Sequence, residues 1–139
     1  MKEFKYAVVC VDDDPYILQS IGFQVEKLID NKNTIVEYYT DPGVVLKNID
    51  LLTNEGIEII LAIVDFQMPN LNGAELVRSI KDQHPEIKCL MLSGQASAIH
   101  VDDLVSDNLL ESFISKPWDE NELFDAIAPI INKKYNKTN

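Results

Sequence analysis

The segment Ile59-Ile60-Leu61-Ala62-Ile63-Val64 carries no polar side chain and stops abruptly at Asp65. It is short and mostly β-branched or aliphatic, which suits a strand, and it shows no alternation of apolar and polar residues. An antiparallel edge would alternate. A run that is apolar on both sides reads instead as a strand covered on both faces, as in a parallel sheet packed between helices. Four other segments have strand character: Tyr6 to Val11, Thr34 to Tyr39, Ile87 to Leu92 and Ser112 to Ser115. The second contains Glu37 and two tyrosines, so its place is peripheral.

Helical spacing fills the intervals. Ile17, Leu18, Ile21, Val25, Leu28 and Ile29 form one apolar face of a helix that starts near Pro15. Asp41 and Pro42 read as an N-cap and first helical position, with Gly56 at the expected end of that helix. Asn72 with Glu75, and Asp119 with Glu122, have capping-box spacing, while His84 and Pro85 stop the third helix. A fourth helix between Ser97 and Val105 has the weakest pattern and is expected to be short or movable. Pro129 removes a hydrogen bond inside the final helix, which predicts a bend or an early end. Strict strand and helix alternation with short connections defines an α/β, doubly wound, five-stranded parallel sheet flanked by helices. One domain is expected over residues 4–131, followed by a polar, unpacked tail or start of a linker at 132–139.

Composition bounds the function. The 139 residues are 46% apolar and 25% charged, enough for one core without a disulfide or structural metal. Cys10 and Cys89 lie inside apolar runs and read as buried, free thiols, which suits a reducing cytoplasmic setting. No apolar run exceeds six residues, so neither a membrane helix nor an export signal is expected. Twelve Lys and Arg oppose 23 Asp and Glu, a net charge of −11 that should repel phosphate backbones and anionic lipid heads. Direct nucleic-acid binding by this domain is therefore not expected.

The polar residues that follow the strands carry the chemistry. The first strand ends in Asp12, Asp13 and Asp14, the third in Asp65, the fourth in Ser93 and Gly94, and the fifth in Lys116 and Pro117. In an open parallel sheet these positions line one edge, where ligands bind. Carboxylates about 4 Å apart repel by roughly 4 kcal/mol at an effective dielectric constant near 20. Asp12, Asp13 and Asp65 sum to −3 and Lys116 returns +1, so one dication makes the group formally neutral. A hard cation with oxygen ligands fits, and Mg²⁺ is the natural choice. Neither His84 nor His100 follows a strand at this edge, which disfavours zinc. The Gly73 loop is no EF-hand, because its first ligand position would be Met68.

Val8-Val9-Cys10-Val11-Asp12-Asp13-Asp14-Pro15, Val64-Asp65-Phe66-Gln67-Met68-Pro69-Asn70-Leu71-Asn72-Gly73, Leu90-Met91-Leu92-Ser93-Gly94 and Phe113-Ile114-Ser115-Lys116-Pro117 together resemble, in order, the receiver domain of two-component response regulators. The resemblance spans about Phe4 to Ile131 and implies the flavodoxin-like (βα)5 receiver fold. It also implies that Asp65 accepts a phosphoryl group from a phosphohistidine on a sensor histidine kinase or phosphotransfer protein, assisted by Lys116 and Ser93. Mg²⁺ would be held by Asp12 and Asp13, with Asp13 the favoured direct ligand, joined by Asp65 and the backbone carbonyl of Gln67. Gly94 would keep the approach open, and Gln67 would influence the lifetime of the acyl phosphate. Ser93 and an aromatic residue on the fifth strand, here Phe113, would form the switch that alters the surface of the fourth helix, fifth strand and fifth helix. Phe113 serves equally well as a plain core residue, and it lacks the hydroxyl for a hydrogen-bonded switch. The partners implied are the kinase, an output domain or target protein, and a second copy in a phosphorylation-dependent dimer.

Two rivals remain at this level. A haloacid dehalogenase-like Mg²⁺-dependent phosphohydrolase would use Asp12 as nucleophile and Asp14 as second acid, although Tyr16 stands where Thr or Val is expected and there is no obvious cap. A degenerate receiver would serve only as a docking domain, against which the complete residue set argues.

Overall fold

The structure is a computed structural model of the chain, and it describes residues 4–66, 68, 72–94 and 108–136. Five strands form one sheet: β1 (Tyr6–Val11), β2 (Thr34–Tyr39), β3 (Glu58–Asp65), β4 (Lys88–Ser93) and β5 (Ser112–Ser115). Their order is β2-β1-β3-β4-β5 and every pairing is parallel. The helices are α1 (Pro15–Glu26), α2 (Val45–Asn54, preceded by a 3₁₀ turn at Pro42–Val44), α3 (Gly73–Gln83) and α4 (Glu120–Asn136). The helix expected between Ser97 and Val105 lies outside the described residues, as do Gln67 and Pro69 to Leu71.

The uniform apolar strands are explained by burial on both sides. Ala7, Val9, Val11, Ala62, Val64, Cys89 and Met91 pack against α2 and α3. Tyr6, Val8, Cys10, Ile63, Leu90, Leu92 and Ile114 pack against α1 and α4. β2 is peripheral, paired on one side only, as is β5 at the other edge. A register shift opposite Ala7 and Val8 places Ile60 and Leu61 in the same cluster, on the α1/α4 side. Both cysteines are buried and free, in different clusters.

Local signals act as the residue types require. Asp14 caps α1, accepting from the Tyr16 N–H at 2.9 Å. Asp41 caps the 3₁₀ turn rather than α2 itself, with Gly43 N–H as donor at 2.8 Å. Asn72 accepts from the Glu75 N–H at 2.8 Å, and His84 ends α3. Gly56 follows α2 at φ +85°, in the left-handed region.

Two expectations for the C-terminus are corrected. α4 does not end at Pro129 but continues to Asn136. Pro129 and Asp125 are both exposed, so water can serve the Asp125 carbonyl that proline leaves without a partner, while Leu123, Ile127 and Ile131 hold the opposite face on the sheet. The unpacked tail is likewise absent over 132–136. The Tyr135 hydroxyl bonds Thr34 Oγ1 at 2.6 Å and accepts from the Asp30 N–H at 3.0 Å, its ring lies 5.6 Å from that of Tyr6, and Lys134 pairs with Glu58.

Candidate phosphoacceptor site

The sheet register delivers the site. Val11 is level with Val64, so Asp12 and Asp65 leave neighbouring strands side by side, where strand order reverses. Asp65 is level with Leu92, one residue before Ser93, and Ser93 is level with Ser115, one residue before Lys116. The ladder continues past the strands: Asp12 N–H donates to Tyr39 O at 3.1 Å, Phe66 N–H to Leu92 O at 2.9 Å and Lys116 N–H to Ser93 O at 2.8 Å. The Lys116–Pro117 peptide bond is cis.

The side chains converge. Lys116 Nζ donates to Asp65 Oδ1 at 2.8 Å and to Asp12 Oδ2 at 3.0 Å. Carboxylate oxygens of Asp12, Asp13 and Asp65 lie within 4.8 Å of one another. Asp12 and Asp65 are buried, whereas Asp13 is exposed. The second Asp12 oxygen accepts from the Asp14 N–H at 2.9 Å. Burial pushes the Asp12 carboxyl above the ordinary carboxylate range, against the lowering effect of that N–H and of Lys116. For Lys116, burial favours the neutral amine, but hydrogen bonds and charge from Asp65 and Asp12 outweigh it and raise the ammonium above its usual value. The lysine therefore stays charged at neutral pH.

The donor set fits Mg²⁺. It consists of hard carboxylate oxygens, one from each of Asp12, Asp13 and Asp65, gathered within 4.8 Å of one another, which is the ligand chemistry that this cation takes. The exposed side of the cluster, at Asp13, leaves room for retained waters. Gln67, expected to add a backbone carbonyl, is not among the described residues.

The other expected residues take supporting places. Ser93 is buried and its hydroxyl donates to the Gly94 carbonyl at 3.0 Å. Among the described residues, a carbon added at Gly94 meets nothing within 4 Å. Phe113, level with Met91, packs against the α2/α3 cluster, on the face opposite Ile114. Trp118 donates its indole N–H to Gln24 Oε1 at 2.8 Å, tying the segment after Lys116 to α1. Asp14 is turned to capping α1. One residue of the site escaped sequence reasoning: Gly73, the first residue of α3, sits directly against the Asp65 carbonyl. Gly73 closes the Val64–Gly73 stretch that carries the family resemblance, but nothing in the order of residues showed that it lies against the Asp65 carbonyl.

An acidic pocket with a bridging lysine at the switch point of a doubly wound sheet lies where this class of α/β domain binds its ligands. Residues 8–128 match the response regulator receiver domain, and the chain belongs to that family. Response regulator RppA of Synechocystis sp. is 27% identical over 124 residues, covering 88% of this chain and 49% of RppA. The Fimbriae Z protein of Escherichia coli K12 is 25% identical over 126 residues, covering 91% of this chain and 56% of that protein. Sensor kinase CckA of Brucella abortus matches over 86 residues at 26% identity, 62% of this chain and 9% of the kinase. The chain thus spans about half the length, or far less, of these curated relatives. Among solved structures, a response regulator receiver domain protein from Clostridium thermocellum superposes with a TM-score of 0.76 at 25% identity, covering 94% of this chain and 97% of that one. A CheY-like receiver domain protein from Methanospirillum hungatei has the same fold, with a TM-score of 0.76 at 23% identity, covering 95% and 98%.

Proposed function

We propose that Asp65 is a phosphoacceptor that takes a phosphoryl group from a phosphohistidine on a histidine kinase or phosphotransfer protein. The observation that carries this reading is the single ammonium of Lys116 bonded at once to Asp65 and Asp12 inside a cluster of three carboxylates. An Asp65 oxygen forms the new O–P bond while the N–P bond to the donor imidazole breaks, and the imidazole departs with the electron pair and takes up a proton. The transferring group carries negative charge on three oxygens, so positioning and charge stabilisation dominate the chemistry. Lys116 is placed to answer one oxygen and the Ser93 hydroxyl, once turned from the Gly94 carbonyl, another. Mg²⁺, held by Asp12, Asp13, Asp65 and the Gln67 carbonyl, supplies further positive charge when bound. Gly94, lacking a side chain, leaves the approach clear for the donor ring or a hydrolytic water.

Readout then passes through Ser93 and Phe113 to the surface that includes β5 and α4, and from there to an output domain, target protein or second copy. The module works in the cytoplasm as a switch that assists its own phosphorylation and dephosphorylation, not as an enzyme acting on a separate substrate. The phosphohydrolase reading loses support from Asp14, whose carboxylate is engaged at the α1 N-terminus. Incubation with Mg²⁺ and a small acyl phosphate, followed by intact-protein mass spectrometry, tests the proposal. One phosphoryl unit should appear on the wild type and none on Asp65→Asn. Labelling that survives Asp65→Asn and vanishes in Asp12→Asn would return the hydrolase.

A further inference from the structure

A carbon placed on Gly73 would overlap the Asp65 carbonyl oxygen, and it would stand 2.9 Å from both the Asp65 carbonyl carbon and the Phe66 Cα. Real Cβ atoms do not come so near backbone, and backbone, unlike the end of a side chain, has no rotamer by which to give way. The contact is also bonded: Gly73 N–H donates to Phe66 O at 2.7 Å. The first turn of α3 therefore seats directly on the peptide that follows the proposed acceptor. Asn72, whose side chain accepts from the Glu75 N–H, fixes that turn.

On the other side the Asp65 carboxylate is held by Lys116 at 2.8 Å. The residue is thus clamped between a lysine at its carboxylate and a helix end at its carbonyl. We infer that Gly73 is a positioning residue for phosphoryl acceptance: by admitting α3 to the Asp65–Phe66 peptide it sets where the Asp65 carboxylate stands relative to Asp12 and Lys116. This rests on Asp65 being the acceptor. A side chain at position 73 must push that peptide aside, and the carboxylate moves with it. Reacting groups need placement within a fraction of an ångström, so the loss should exceed what reduced stability alone explains.

Gly22 supplies the matched control. A carbon added there also meets a close atom, the Tyr38 hydroxyl at 2.5 Å, but that is the movable end of a side chain on β2, away from Asp65. The experiment compares wild type, Gly73→Ala and Gly22→Ala for thermal midpoint, Mg²⁺ dissociation constant and initial rate of labelling by a small acyl phosphate, with crystal structures of the two variants. Expected for Gly73→Ala are a folded protein, a labelling rate at least tenfold lower, weaker Mg²⁺ binding and a broken Lys116–Asp65 hydrogen bond. Gly22→Ala should label within twofold of wild type. Gly73→Ala labelling within twofold, or an Asp65 carboxylate unmoved in its crystal structure, overturns the inference. If Gly73→Ala does not fold, Asn72→Ala decides, since it loosens the same helix end without adding bulk: an approximately threefold slower rate supports the inference and an unchanged one overturns it. A wild type that takes no label defeats the acceptor reading instead, and the Asp65 position in the variant crystal still decides whether Gly73 places that side chain.

Discussion

Asp12, Asp13 and Asp65 show how a site can work against the fold that carries it. Three carboxylates within 4.8 Å repel one another, and Lys116 offsets only part of that charge. Removing the exposed member should therefore stabilise the metal-free protein while weakening its proposed cation site. Asp13→Asn is expected to gain up to about 1 kcal/mol in chelator, the modest scale proper to an exposed charge. Saturating Mg²⁺ should reverse the ranking, because a ligand at a hundredfold excess over its dissociation constant adds about 2.7 kcal/mol to whichever form binds it. Urea denaturation of both proteins with and without Mg²⁺ measures this, and equal stability in all four conditions would refute it. The acids, Ser93 and Lys116 were all legible in the sequence, since each stands at or just past the end of an apolar strand. The crowding at Gly73 was not, because it depends on how a helix end returns to a strand end.

At the scale of elements, the strands were readable almost to the residue, for a chemical reason: burial on both faces leaves a continuous apolar run that ends where the polar edge begins. The same uniformity hid the register shift opposite Ala7 and Val8, since a run without alternation does not show which residue faces which helix. α4 exceeded its expected length because tertiary contacts at Ile131 and Tyr135 outweigh the lost hydrogen bond at Pro129. α1 offers a clean separation of roles. Asp14 belongs to the acidic run by sequence but to the helix cap by structure, so Asp14→Ala should cost about 1 kcal/mol in stability and leave the rate of Asp65 labelling unchanged. Equilibrium denaturation paired with the labelling assay tests this, and a large rate loss at unchanged stability would place Asp14 in the chemistry.

For the molecule as a whole, every clear shift in proton affinity among the described residues runs the same way. Burial raises Asp12 above 3.8, Cys89 from 9.0 to about 12 and Tyr39 from 10.0 to about 12; Cys10 and Tyr38 also rise, and Lys116 rises through its two carboxylate partners. In each case the folded state holds its proton more tightly than the unfolded chain, so stability is lost as pH climbs through the window between the two values. The two buried thiols alone should remove about 2–3 kcal/mol between pH 8 and pH 10. The denaturation midpoint should fall steadily over that range, and Cys10→Ala/Cys89→Ala should flatten the decline; a midpoint independent of pH would contradict the assignment. No helix among the described residues is long and apolar enough to cross a membrane. The sequence by itself determined the layered α/β architecture, the strand ends and the identity of the charged residues at them, because hydrophobic periodicity and charge are properties of the chain read in order. Only the tertiary structure decided that Lys116 bridges Asp12 and Asp65, that Asp14 turns away, and that α3 closes on the Asp65 carbonyl. Those are distances between residues far apart in the chain, fixed by strand order and register, which no local pattern encodes.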